Sequence, residues 1–297
     1  MNAKSIIKLV IAIALGLFIG LVYGVYTIIV ALFFPQYEEM LRKIPGYILI
    51  ALLCIGAVVC FVIFFVSFFR ELNYIKLYNN ELAYKGFTEE LYEATLKRKK
   101  RFEKNKYSVG YIGSINMIAG YLGMQEKYDE ELEILEEINI EELKLKFKID
   151  SANPSKDNLI TFMGFLDTLI CVYSETGNRE KEENTFEIFN PYYNAFIHKY
   201  DYLTNILYEA KLRDLLFHGN FNEALSILDI LKGSDKSLYN LSNLDYLYYI
   251  KETDTEKIEN AYNASVESNE STRLKAYFNQ MADLRKNQIY KKLKAEE

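Results

Sequence analysis

The chain contains no tryptophan, four prolines, three cysteines and two histidines among its 297 residues. Each scarcity excludes something. Cys54 and Cys60 sit inside an apolar run and Cys171 lies far from both, so there is neither a disulfide framework nor a paired-cysteine zinc site. His198 and His218 have no Cys or His near them in sequence and read as exposed or partly packed side chains. No HExxH, P-loop, GxSxG or CxxC pair occurs, and Ser5 with Lys8 makes only a chance SxxK. The carboxylates Glu130, Glu131, Glu133, Glu136, Glu137, Glu141 and Glu142 read as a solvated helix face, since no histidine accompanies them. No catalytic, cofactor or metal residue is therefore expected, and the chain is not expected to be an enzyme.

Charge is also missing, over two long stretches. Residues 6–34 carry no charge after Lys8, and residues 46–69 carry none at all. Each exceeds the roughly 20 residues a helix needs to cross about 30 Å of hydrocarbon. They predict a transmembrane hairpin over 1–69, with a short outside loop at 35–45 between Pro35 and Pro45. Lys and Arg concentrate after Phe69, which places both termini in the cytoplasm by the positive-inside rule. Ala12, Gly16, Gly20 and Gly24 recur every fourth residue as a stripe of small side chains. Such a stripe packs either against the second membrane helix or in a homodimer. From Ala57 to Lys85 there is neither Pro nor Gly, so the second membrane helix is expected to run into the first soluble one, with a joint near Asn73 or Asn79 as the competing reading.

Residues 1–106 carry 14 Lys and Arg against 8 Asp and Glu, a net of +6; residues 107–297 carry 21 against 33, a net of −12. A basic membrane-proximal part suits an anionic bilayer, and the acidic remainder excludes nucleic acid as a natural partner. The abundance of Lys, Asn, Ile and Tyr is that of AT-rich coding and points to a bacterial chain, hence to the inner (plasma) membrane.

Beyond residue 70 the apolar spacing is helical and the turns share a plan. In Leu215–Leu228 a helix ends at Gly219-Asn220, Phe221 follows the turn and Ala224 lets the next helix approach. Similar turns lie at 121–129 and 173–178, with weaker copies at 85–88 and 252–255; their expected N-caps are Thr88, Asp129, Asn178, Asn222 and Thr255. Gly233 offers a further stop. Spacings of roughly 34 to 50 residues belong to helical-repeat solenoids. Residues 143–149 break the rule, because Leu143, Leu145, Phe147 and Ile149 alternate with lysines. An irregular insertion is favoured there, with a helix on Ile140, Leu143 and Phe147 as the alternative. Leu274, Phe278, Met281 and Leu284 predict a final capping helix.

The helix–Gly/Asn–aromatic–x–x–Ala–helix pattern, best at 204–232 and next at 111–139, resembles the tetratricopeptide-repeat family. The family's Trp is absent, its closing Pro is approximated only by Pro191, and Arg179 and Thr255 stand where the aromatic should be. The resemblance implies an all-α fold, with a cytoplasmic TPR-like α-solenoid over 70–297. It also implies a concave groove lined by the first helix of each pair, where Asn116, Gly120, Glu209 and Arg213 would face a protein or peptide partner. Lys97, Arg98, Lys99, Lys100 and Arg101 form the densest basic run. It reads equally as a contact with lipid headgroups or as a helix end favoured by its dipole. The expected function is a membrane-anchored scaffold or adaptor for protein–protein interaction. The competing expectation is an accessory or immunity subunit of a membrane transporter or secretion machine.

Overall fold

The computed structural model describes the backbone at Val25, Ile29 and Leu32 and over residues 38–296, and side chains at those three positions and over 58–295. The stripe at Ala12, Gly16, Gly20 and Gly24, and almost all of the first apolar run, lie outside the described residues. The chain divides into two compact units, Met1–Leu72 and Asn73–Glu297.

Helix α1 spans Glu38–Tyr84 without interruption. The second half of the expected outside loop is therefore helical, with Glu38 and Glu39 at the positive end of the helix dipole and Pro45 taken inside the helix. Within α1, Val58–Tyr84 is long and apolar enough to cross a membrane, with a mean hydropathy of 1.8 in its most apolar window and 6% of that window buried. Phe61, Phe64, Phe68 and Phe69 stand exposed there.

All regular structure among the described residues is helical. After α1 come α2 (Glu89–Phe102), α3 (Val109–Met124), α4 (Tyr128–Leu135), α5 (Ile140–Phe147) and α6 (Lys156–Glu175). Then follow α7 (Arg179–Phe196), α8 (Thr204–Phe217), α9 (Phe221–Ser234), α10 (Lys236–Tyr249), α11 (Thr255–Asn269) and α12 (Lys275–Glu296). Helix starts are held by short polar side chains that accept from orphan N–H groups: Thr88, Ser108, Asn139, Ser155, Asn178, Asp235 and Asp254. Of the expected caps, Thr88 and Asn178 serve. Asp254 replaces Thr255, while the cap positions Lys127 and Asn220 replace Asp129 and Asn222 and bond through no side chain. Gly233 lies within α9 and ends nothing.

Five helix ends share one backbone device. Glu126, Lys148, Gly177, Gly219 and Lys251 take the left-handed conformation. The next residue's N–H then reaches back five positions: Lys127 to Leu122, Ile149 to Lys144, Asn178 to Tyr173, Asn220 to Leu215 and Glu252 to Leu247. This is the Schellman arrangement, which satisfies carbonyls the helix leaves bare. The 143–149 segment is corrected by the same device. It is the helix α5, with Leu143 and Phe147 buried four apart and Leu145 74% exposed, and the alternation was incidental to that spacing.

Packing in the second unit has two layers. Helices α3, α6, α8, α10 and α12 touch in that order, and α12 returns to touch α3, closing an inner ring. Helices α2, α4, α7, α9 and α11 pack on the outside, each against its chain neighbours in the ring. The largest apolar cluster joins α3 to α8 through Ile112, Ile115, Phe162, Phe165, Leu166 and Phe189, all fully buried. The last helix is thus more than a cap on the final pair. Gln280 accepts from the N–H of Phe87 at 2.7 Å, Gln288 donates to the Tyr128 hydroxyl at 3.0 Å, and Lys291 pairs with Glu126.

Candidate functional site

The ring encloses a cavity of about 530 Å³, within the range of ligand sites. Its apolar wall comes from Leu82, Phe87, Met117, Met124, Ile206, Leu241, Met281 and Leu284. Gly120 is required for this shape, because a Cβ there would sit 2.9 Å from the Phe87 ring.

The polar wall is the unusual part. Arg213 reaches Asp167 at 3.1 Å, from α8 to α6. Arg285, on α12, binds Glu175 at 2.7 Å and Asp245 at 2.6 Å and lies over the Tyr248 ring at 4.3 Å. One guanidinium therefore joins three ring helices, α6, α10 and its own α12, a bond pattern that Lys cannot reproduce. Glu131 enters from α4, only 4% exposed, against Gly123, where a Cβ would meet its carboxylate at 2.9 Å. Burial pushes its pKa up to about 8, with Glu175 adding to the rise and Arg213 only partly opposing it. Burial likewise raises Asp167, against the pull of Arg213, and lifts the Cys171 thiol to about 12, which makes it an inert wall group. The side-chain oxygen of Asn116 is buried in the wall with no hydrogen bond. Four carboxyl groups (Glu131, Asp167, Glu175, Asp245) thus face two guanidiniums, with Glu131 holding its proton up to about pH 8 while no cation is bound.

Of the residues expected to face a partner, Asn116, Gly120 and Arg213 line this cavity. Glu209 lies one turn before Arg213 in an adjoining crevice with Asp245 and Tyr249; burial first, then Asp167, raises its pKa to about 8. The structure corrects the reading of Glu131 as part of a solvated face, whereas Glu137 stays exposed while accepting from the Tyr111 hydroxyl at 3.0 Å and pairing with Lys99 at 2.9 Å. Arg285, Asp245, Glu175 and Asp167 escaped the sequence reading. One signal for them existed: Asp167, Cys171 and Glu175 put a polar stripe at four-residue spacing down the otherwise apolar α6.

The basic run does not form one free face. Arg98 donates to the Gly110 carbonyl at 2.8 Å and to Ser114 at 3.0 Å, and lies 4.8 Å from the centre of the Tyr74 ring. Lys99 is held by Glu137, while Lys97, Lys100 and Arg101 are exposed. Compared with protein-family models, with curated proteins and with solved structures, the chain matches none.

Proposed function

We propose that this protein is a membrane-anchored adaptor whose cytoplasmic helical repeats, a closed TPR-like α-solenoid, bind a segment of a protein or peptide partner in the central cavity. The bare phenylalanines of α1 suit lipid, and the recurring Schellman turns support descent of the second unit from one helix-pair plan. The observation that carries the binding function is the cavity's surplus of acceptors. A buried carboxyl with no ion partner and a buried amide oxygen with no donor are each costly when left alone. A cation satisfies both, so the bound segment carries a lysine, an arginine or a free amino terminus, with apolar flanks for the methionine-rich wall.

The test is a diazirine amino acid at Met117, irradiated in native membranes. The expected product is an adduct with one polypeptide, lost when Glu131→Gln is added and absent when the probe is placed at exposed Leu225. Recovery of lipid alone, or the same products from both positions, sinks the reading.

A further inference from the structure

Away from the cavity lining, outer helix α7 and ring helix α8 bring together three side chains, one of which sequence keeps far from the other two. Glu182 comes from the first turn of α7; Asp214 and His218 come from the last turn of α8, four residues apart on one face. One ligand atom from each lies within 4.8 Å of the other two. Glu182 is 0% exposed, and neither of its oxygens has a hydrogen-bond partner. Full burial of such a carboxylate is among the most costly arrangements a fold can hold, unless a cation completes it.

The imidazole is oriented for that cation. His218 Nδ1 lies 2.9 Å from the backbone carbonyl of Asp214. A carbonyl only accepts, so Nδ1 carries a hydrogen and Nε2 is the nitrogen a cation would take, the arrangement of metal-binding histidines whose second nitrogen is tied to a carbonyl. Nε2 faces Glu182 Oε2 at 3.7 Å and Glu183 Oε1 at 3.2 Å, while Asp214 Oδ1 lies 3.4 Å from Nδ1, so the Asp214 carboxyl must turn towards Nε2 to join an ion there. Facing these two carboxylates, Nε2 is favourably placed only with a proton or another cation on it. The surrounding charge agrees. The carboxyl groups Glu182, Glu183, Asp214 and Glu223 outnumber the cationic groups beside them, Lys211, 3.2 Å from Asp214, Arg179, 2.9 Å from Glu183, and His218.

We propose that Glu182, Asp214 and His218 bind a first-row divalent transition ion, with zinc the natural occupant of one imidazole and two carboxylates, and with Glu183 or solvent in the fourth position. Zinc with such ligands has bonds of about 2.0–2.2 Å, so the ligand atoms must close to about 3.4 Å apart. The ion clamps α7 to α8 and needs no part of the central cavity, so this site stands or falls separately from the proposed binding function.

The test uses the full chain in detergent, purified through a histidine-free tag, stripped with chelator and given zinc alone. One equivalent of zinc is expected to remain after dialysis and to raise Tm by roughly 3–6 °C. Glu182→Gln, which keeps the shape, is expected to weaken binding by more than about tenfold and abolish the Tm shift. His218→Gln, changed at a partly exposed position, should do the same. Cobalt in place of zinc reads the ligands in the unaltered protein: visible d–d bands without a thiolate charge-transfer band support the site. No retained zinc, equal retention by both variants, or a thiolate band that points to Cys60 or Cys171 overturns it. The first of these results would mean that a proton alone occupies the gap.

Discussion

At the scale of single residues, Glu131 carries the sharpest consequence. Its folded pKa of about 8 exceeds its ordinary value of 4.5. Below about pH 4.5 it is protonated in both folded and unfolded chains and has no effect. Between 4.5 and 8 the folded state holds a proton that the unfolded chain releases, so stability falls as pH rises, by up to about 1.4 kcal/mol per pH unit, and the penalty is complete above 8. Glu131→Gln should thus match the wild type near pH 4.5 and gain an advantage that grows until about pH 8. Urea titrations of both proteins across that range measure the difference; parallel curves would refute the burial argument. The sequence could not reveal this residue. Seven carboxylates stand within 130–142, and nothing local tells the one turned against Gly123 from its solvated neighbours. What decides its environment is the arrival of Glu175 and Arg213 from helices far along the chain.

At the scale of elements, the turns were the most legible part of the fold, because glycine advertises a left-handed residue. Gly177 and Gly219 were read correctly at the ends of their helices. In the turn at 121–129 it is Glu126, not the glycine at 123, that takes the positive φ, and Lys251 does so where no glycine stands. Gly123 was spent instead on admitting Glu131. Non-glycine residues in this conformation bear a strain of about 1 kcal/mol. Lys251→Gly should therefore raise stability by about 0.5–1 kcal/mol, and Gly219→Ala, where open space surrounds the missing Cβ, should lower it by about 1 kcal/mol through backbone strain alone. Thermal unfolding of the two variants tests the pair, and the opposite signs make the result hard to obtain by chance. The lysine alternation at 143–149 misled for the complementary reason. Over so few residues, periods of 2 and 3.6 share several positions, and only the buried pair Leu143 and Phe147 decides between them.

At the scale of the whole molecule, the apolar run in α1 was plain from composition, whereas the closed ring was not. Repeat patterns report contacts between neighbours in sequence. The return of α12 depends on single long-range partners such as Gln280 with Phe87, and no periodicity encodes them. Arg285 is where that closure concentrates. Arg285→Ala strands Glu175 and Asp245, each mostly buried, and should destabilise the second unit by about 3–5 kcal/mol. Hydrogen exchange should show α12 losing protection ahead of α6; uniform loss across both would mean that the ring opens as one block.

The distance along the chain between the residues that α12 joins also sets a timetable. Phe87 and Gln280 are 193 residues apart, and Glu126 waits for Lys291. During synthesis each outer helix can settle on its neighbour as it leaves the ribosome, but the chamber at the centre stays open until α12 is made. The apolar stretch of α1, long enough to cross a membrane, is therefore already made while the ring behind it is still unsealed.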